Sequence, residues 1–412
     1  MRHFQKSRKL ELENTVLIRK AYKFRLEPTL KQINDLQSWV GQARFVWNKV
    51  LRMNLDRLER KQKILYYEEA SFWLTRWKQS EEYGFLKGAC SHALQQKLKD
   101  LDRAFIDAFD KNQPLMRMPQ FKKKSRGDSF RIPVAPKIEN NRIKLPKLEW
   151  MNFRRSRDIE GVMKNATVTY HAGHWYVSIQ VEQALERSPH PSTTVIGVDL
   201  GIKRFATLSD GSHYEPLNSF KKLQTKLKKE QRKLSKKKKF SANWEKQKAR
   251  ISKLHTKIAN TRKDYLHKTS SAISNSHAMI VLEDLKVKNM SKSAKGNAEN
   301  HGRSVKAKSG LNRSILDQGW SEFRRQLEYK QLWKGGDVIA VNPRNTSRKC
   351  HVCQHIDQYN RRSQSEFCCT KCGNELNADV NAAINIREAG HALLACGEEA
   401  LAASVKQEPT AT

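Results

Sequence analysis

The chain has 412 residues, long enough for two or three domains with cores of their own. Its 79 Lys and Arg face 42 Asp and Glu, a formal net charge of +37, so polyanions are the expected partners and a nonspecific RNA binder is one reading. A composition of 38% hydrophobic and 29% charged residues excludes global disorder, and no run approaches the roughly 18 apolar residues of a membrane span. The opening MRHFQKSRKLELENTV has basic residues but no apolar core, so no secretory signal is expected. Of the seven cysteines, four have metal-site spacing, which suits a reducing cytosol better than a disulfide scaffold.

Residues 16–28, VLIRKAYKFRLEP, alternate in part and end at Pro28, which predicts a strand. From Leu30 to about Asp110 apolar residues recur at three- and four-residue steps: Ile33, Leu36, Val40 and Ala43, then Leu94, Leu98, Leu101, Phe105 and Phe109. A small helical bundle is expected there. Pro114 and Pro119 break the pattern, and PQFKKKSRGDSFR leads into strand-like runs RIKLPKL, ATVTYHAG and HWYVSIQVEQ, the last two joined in a hairpin about His171-Ala172-Gly173. This predicts a β-rich barrel or sheet receiving strands from both sides of the bundle. ALERSPHPSTT reads as a linker.

VIGVDLGIKRFATLSDG then predicts a buried strand, a turn, a second strand and an Asp-Gly turn. Residues 221–268 read as a two-helix hairpin, with 19 Lys or Arg against three acids. Such a surface fits nucleic acid or a merely solvated face. MIVLEDL predicts a short buried strand, and the polar KVKNMSKSAKGNAENHGRSVKAKSG a mobile loop. LNRSILDQGWSEFRRQLEYKQLW predicts one amphipathic helix with Ile315, Trp320, Phe323, Leu327 and Leu332 inward, followed by a strand in GGDVIAVNP. A helix is expected from about Asp379 to Ala389, and a frayed tail over the last 15 or so residues.

Cys350, Cys353, Cys369 and Cys372 form two CxxC knuckles that satisfy a tetrahedral Zn²⁺ with no open position, which makes the site structural. A redox dithiol is the competing reading. The intervening QHIDQYNRRSQSEFC is too short and polar for a core of its own. Cys368 breaks the spacing and is a bystander; His351 and His355 are possible substitute ligands, and Cys90 and Cys396 read as ordinary thiols. Three acids stand out beside this site. Asp199 follows the apolar VIGV, Glu283 follows MIVL, and Asp379 opens a helix. Carboxylates converging on a pair of Mg²⁺ ions would support phosphodiester cleavage. The plainer readings are turn residues for the first two and an N-cap for Asp379. Asp284 points to the opposite face from Glu283 and is left out of the set.

Strand–turn–strand with an internal Asp, a later strand ending in Glu, and a helix-borne Asp resembles the RNase H-like, RuvC-type nuclease fold. GVDLGIKRFATLSDG, VLEDL, LDQGWSEFRRQLEYK, TSRKCHVC, FCCTKCG and NADVNAAINI resemble the motifs of the TnpB family, carried by bacterial insertion sequences and related to type V CRISPR effectors. YKFRLEPTLKQ, GQARFVWNKVL, PQFKKK and IKLPKL are similar to that family too. The resemblance implies a multidomain α+β/α/β chain. Its parts are a β-barrel wedge domain (1–35 and 113–185) interrupted by a helical recognition bundle (36–112), a linker (186–194), an RNase H-like RuvC domain (195–345 and 377–395) holding a zinc ribbon (346–376), and a flexible tail (396–412).

The resemblance further implies an RNA-guided, Mg²⁺-dependent DNA endonuclease. It would cut double-stranded DNA next to a short target-adjacent motif, with a guide RNA from the transposon end, in the bacterial cytoplasm at the nucleoid and without a membrane partner. Asp199, Glu283 and Asp379 would be the catalytic acids and the four cysteines the zinc ligands. Arg44, Lys49, Lys122, Lys123 and Lys124 are candidate phosphate contacts, or plain surface charge. Gln354 stands where many relatives have Gly, which bears on the tightness of the first knuckle. A nuclease-inactive RNA-guided repressor and a strand-transfer transposase on the same fold are the alternatives.

Overall fold

The computed structural model describes residues 15–113, 115–124, 127–186, 188–297 and 300–405, the last ten of these as backbone only. The stretch before Thr15, Pro114 and the end of the predicted tail beyond Val405 lie outside the described residues. The chain divides into two compact units that meet at residues 186 and 187.

In the first unit β1 (Thr15–Glu27) runs into α1 (Leu30–Glu59), α2 (Tyr67–Gln79) and α3 (Ser91–Phe109). Thr29 starts α1 as half of a capping box: the Gln32 amide donates to its Oγ1 at 3.4 Å, and its own amide donates to Gln32 Oε1 at 3.0 Å. After the helices come β2 (Ser129–Ile132), β3 (Lys137–Glu139), β4 (Arg142–Lys144), β5 (Met151–Phe153), β6 (Val162–His171) and β7 (His174–Glu186). All pair antiparallel in the order β2-β6-β7-β1-β5-β4-β3, so β1, from before the bundle, is central among strands from after it. The β6–β7 hairpin turns on Ala172 and Gly173, at φ +51° and +89°, the left-handed pair that a two-residue turn requires.

Two expectations change here. The sheet is not a closed barrel: among the described residues β2 and β3 are unpaired ends of the order. Helices pack on β2, with the Phe130 ring 5.4 Å from that of Trp39 on α1. The bundle is also not a body apart, because Leu36, Leu98 and Phe105 share one buried core with Phe24, Phe130 and Val177 of the sheet. Phe109, expected in the apolar stripe, is 49% exposed at the end of α3.

The second unit is built on β8 (Val195–Leu200), β9 (Ala206–Leu208), β10 (His213–Tyr214), β11 (Met279–Glu283) and β12 (Asp337–Val341), in the order β10-β9-β8-β11-β12. β8, β11 and β12 are parallel, and β9 and β10 antiparallel. The crossover from β10 to β11 is the basic hairpin α4 (Ser219–Ser235) and α5 (Ala242–Ser276). Leu227 and Ile258 are buried in it, and Gln247 locks the two helices by donating to the Glu230 carbonyl and carboxylate at 3.0 and 2.7 Å. The crossover from β11 to β12 is α6 (Val287–Met290), α7 (Val305–Gln318) and α8 (Trp320–Lys334). After β12 come β13 (Glu366–Cys368), β14 (Glu375–Asn377) and α9 (Ala378–Val405).

The period of two in the parallel strands sorts their residues onto two faces. Ile196, Val198, Ile280 and Leu282 pack with Leu266 and Ile273 of α5 and Phe323 and Leu327 of α8. Val281 and Val341 pack on the opposite face with Ile386 of α9. Gly197 lies on that second face, and a Cβ there would come within 2.0 Å of the Ala383 carbonyl oxygen of α9.

Four further expectations are corrected. The predicted single helix is two, broken at Gly319 with φ +75°, a conformation that lets Trp320 and Phe323 turn inward while Leu332 ends 55% exposed. The polar stretch predicted as a mobile loop contains α6 and the start of α7, tied together where Lys308 donates to the Met290 carbonyl at 2.7 Å. The linker is anchored: His190 is buried with Nε2 2.9 Å from the Ser274 carbonyl. Finally, α9 continues to Val405, so residues 396–405 of the predicted tail are helical.

Gly197→Ala should therefore destabilise the chain by about 1–3 kcal/mol, the usual cost of overpacking. Backbone, not a movable side chain, opposes the new methyl. Chemical denaturation checks this; an unchanged midpoint would show that α9 moves away freely.

Candidate active site and metal centre

Parallel register brings two acids together. Val198 pairs with Leu282, and the next residues, Asp199 and Glu283, stand side by side at the strand ends. Both have the parity of Gly197 and Val281, so they share the face that α9 covers. Asp379 is in the first turn of α9. It is not the N-cap: Asn377 fills that role, its Oδ1 accepting from the amides of Asp379 and Val380 at 3.1 and 3.3 Å. Asp379 is left free to hold the Arg361 guanidinium, 3.1 Å from its Oδ1.

The electrostatics follow from this crowding. Burial, then the charges of Glu283 and Asp379, push the Asp199 carboxyl up to about 7, with Arg361 opposing them. Burial also raises Glu283, offset by the Thr346 hydroxyl, which donates to its Oε1 at 2.6 Å. Asp284 instead accepts from Arg324 at 2.7 Å, as the opposite-face reading requires. Hard carboxylate oxygens, those of Asp199 and Glu283 pushed up by burial, fit Mg²⁺ by the chemistry of the donors.

The four cysteines come together as expected. Their sulfurs lie within 4.8 Å of one another, with Cys350 3.7 Å from Cys372 and Cys353 3.5 Å from Cys369. A soft four-thiol set of this kind fits Zn²⁺. The two knuckles are built alike: the amide of Gln354 donates to the Cys350 carbonyl and that of Gly373 to the Cys369 carbonyl, both at 3.0 Å. Both residues are left-handed, at φ +59° and +70°. That is why Gly suits the place that Gln354 occupies. The hydrophobic cluster of this segment is small: Phe367, Cys350, Cys369 and Ala378, with Cys353 partly buried against it. His351 and His355 stand outside the sulfur cluster, paired with Asn381 at 3.0 Å and Asp357 at 3.8 Å. Cys368 lies on β13, also outside it.

Sequence reading missed the groups that join the two sites. Asn381 and Asn385 reach from α9 to the Lys349 carbonyl at 2.9 and 2.7 Å, and Asn385 also reaches the Thr346 carbonyl at 2.9 Å. Asn360, fully buried, donates to the carbonyls of Arg348 and His355 at 2.9 and 3.2 Å and accepts from the Thr370 amide at 2.9 Å. A visible signal was the four-residue spacing of Asn377, Asn381 and Asn385, which puts three amides on one helix face. Arg361 and Thr346 left no such signal.

The candidate phosphate contacts lie in the other unit and differ among themselves. Arg44 is paired with Asp128 at 3.1 Å. Lys49 donates to the Tyr83 hydroxyl at 2.9 Å, over that ring. Lys122 sits 3.8 Å above the Trp47 ring, its pKa lowered to about 8 by burial and by Lys97. Lys123 and Lys124 are exposed.

Two predictions follow from this geometry. Cys372→Ala should lose zinc and unfold the ribbon, read as a fall from about one zinc per chain by elemental analysis, whereas Gln354→Gly should stabilise it by up to about 1 kcal/mol by relieving a left-handed side chain. In metal-free protein, Asp199 binds its proton more tightly folded (about 7) than unfolded (about 3.9). The folded chain then carries the extra proton between those values, so this group's contribution falls as pH rises through that window. Asp199→Asn should remove that slope in thermal melts between pH 4 and pH 8; equal slopes in both proteins would refute the crowding.

No described helix is long and apolar enough to cross a membrane. Residues 176–294 match a family described as "Probable transposase", OrfB_IS605, and residues 320–386 the TNB domain of Cas12f1-like proteins. Residues 18–63 match a helix-turn-helix domain, although that stretch here is most of β1 followed by the single helix α1. The chain is 52% identical over 393 residues to the Escherichia coli K12 protein named "Putative RNA-guided DNA endonuclease InsQ", covering 95% of this chain and 97% of that one. It is 33% identical over 409 residues to a Streptomyces pristinaespiralis protein named "Putative RNA-guided DNA endonuclease", covering 95% and 96%. A solved structure of the mini-RNA-guided endonuclease CRISPR-Cas_phi3 aligns over 90% of this chain and 92% of that one, at 11% identity and a TM-score of 0.49. Full-length identity at this level, with the motifs in their order, means that the chain belongs to the TnpB family.

Proposed function

We propose that this protein is an RNA-guided, Mg²⁺-dependent DNA endonuclease, cutting double-stranded DNA beside a short target-adjacent motif with a guide RNA from the end of its own element. What supports this reading is the parallel register that sets Asp199 beside Glu283, with Asp379 in the first turn of α9 near enough to help raise the Asp199 carboxyl. The names of its full-length relatives support the guide. In this reading the mixed sheet β8–β12 with its helices is the RuvC-type nuclease, the segment between β12 and α9 its zinc ribbon, and the seven-stranded sheet with α1–α3 the wedge and recognition parts. The +37 charge suits a protein that holds RNA and DNA by their backbones.

Asp199, Glu283 and Asp379 would hold Mg²⁺, which when bound supplies charge stabilisation at the phosphate and a more acidic water. The chain's own residues do the rest. Thr346 fixes the rotamer of Glu283. Arg361 holds Asp379 and keeps a positive charge beside the acids, where negative charge on a phosphate would develop. The ribbon, through Asn381, Asn385 and Arg361, keeps the first turn of α9 in place.

Protein purified from cells carrying its native locus should bring down a structured RNA from that locus. With Mg²⁺ it should cut a matching plasmid, and Asp199→Ala, Glu283→Ala or Asp379→Ala should each lower the rate by at least about 10³-fold while RNA binding persists. Random RNA fragments, or near-normal cutting by any of the three variants, would overturn the corresponding part of the reading. The match to a transposase family favours strand transfer as a second reading. Joined rather than merely cut DNA ends, independent of RNA, would decide for it.

A further inference from the structure

We propose that the tip of the α4–α5 hairpin is a contact for RNA. The Phe240 ring stacks on one unpaired base of a loop or bulge, and the lysines around it hold the adjoining phosphates. The proposal rests on the reading that the protein carries an RNA. It goes beyond that reading by giving the RNA a contact apart from the acids and the zinc ribbon.

The hairpin is joined to the core of its unit at one end only. α5 enters that core through Leu266 and Ile273. The start of α4 is anchored where the Ser219 hydroxyl donates to Asp317 at 3.0 Å. Among the described residues 220–257, only Leu227 and Gln247 are buried. The 17 residues of α4 span about 25 Å, so the turn that follows them is far from that anchor.

The turn is built around one residue. Phe240 has φ +67°, in the left-handed region that crowds a bulky side chain. Ser241 fixes it there. Its amide and hydroxyl donate to the Lys238 carbonyl at 3.2 and 2.8 Å, and its Oγ accepts from the Trp244 amide at 3.2 Å to cap α5. Gly or Asn would make such a turn with less strain. The ring also gains little from the fold: it meets Trp244 at 5.6 Å and stays 81% exposed. Neither the turn nor the core accounts for an aromatic ring at this position, and a partner does.

The surrounding charge says what kind of partner. Residues 228–250 hold 11 Lys or Arg and two acids, Glu230 and Glu245, which pair with Lys233 and Lys248 at 2.9 and 3.6 Å. Four lysines, 236–239, lead directly into the ring, and Lys236, Lys238 and Lys239 are exposed. Cations beside an open aromatic face match the phosphates and bases of a nucleic-acid strand. An anionic membrane would need an apolar face along the helices. Among the described residues of this hairpin, Phe240 is the one large apolar side chain that is exposed. Duplex DNA keeps its bases inside the stack and must spend energy to release one, whereas folded RNA presents loop bases already splayed out. RNA is the occupant this tip fits.

The test uses the full chain and the structured RNA of its native locus. Phe240→Gly removes the ring and suits the left-handed turn, so thermal melts should show an intact fold. Phe240→Asn, also at ease there, is the second variant if Gly loosens the turn. Affinity for the RNA should fall by about tenfold at fixed salt in either, the scale of one lost base–aromatic stack, and Phe240→Trp should keep it. Chemical probing of the complex should show one loop or bulge nucleotide gaining reactivity in Phe240→Gly. An abasic residue at that nucleotide should weaken the wild type about as much, and Phe240→Gly little further. Lys236→Ala combined with Lys239→Ala should lower the salt slope of binding by about one. Unchanged affinity in Phe240→Gly, additive losses or an unchanged salt slope would overturn the contact and leave the guided reading intact. So would a loss confined to duplex DNA or to phosphatidylserine vesicles, which would name another partner. A wild-type chain that holds no structured RNA would overturn both.

Discussion

The nuclease half of this molecule depends on one close contact: α9 lies directly on β8 at Gly197, where no side chain intervenes between strand and helix backbone. The approach is supported by small residues on the helix, Ala382, Ala383 and Gly390, the last against Val281. It sets the height at which the helix meets the sheet. Because Asp379 is one residue inside the helix, and Asp199 two beyond Gly197 on the same face, the same contact sets how near the third acid comes to the first two. A methyl group at Gly197 would therefore shift Asp379 relative to Asp199 and Glu283 without touching any of the three.

The ribbon's role follows from its size. So small an apolar cluster cannot hold some thirty residues of polar chain, and a metal bound by the four thiols would. The same segment in turn orders the three acids. Side-chain amides of α9 satisfy carbonyls of the first knuckle, Thr346 orients Glu283, and Arg361 orients Asp379. The four cysteines and the three acids are thus linked by Thr346, Asn381 and Asn385, which lie inside the quoted motifs, and by Arg361, which lies outside them.

The other half shows the same dependence of local elements on distant ones. The bundle helices do not close a core alone; they finish the sheet's core and pack on β2. Asn48 exchanges two hydrogen bonds with the backbone of Lys122, at 2.8 and 3.0 Å, clamping the PQFKKK segment onto α1. Of the basic residues in this region, those near the clamp are held by aromatic rings or carboxylates, while Lys123 and Lys124 project outward.

Sequence alone determined what depends on short-range pattern. The strands carrying Asp199 and Glu283, the two knuckles, the basic hairpin and the β6–β7 turn are all legible because period, turn residues and thiol spacing are local properties. The family motifs named the acids as a set. Where the sequence reading failed, the deciding forces were long-range. Whether the first sheet closes depends on what packs on β2. Whether residues 305–334 make one helix or two depends on the core that draws Trp320 and Phe323 inward across Gly319, since periodicity alone runs through a glycine unbroken. That Asn377 and not Asp379 caps α9, and that Arg361 and Thr346 stand at the acids, was settled by the docking of the ribbon. The left-handed, outward Phe240 is of the same kind, because backbone conformation and exposure are properties of the packed chain and leave no mark on the order of its residues.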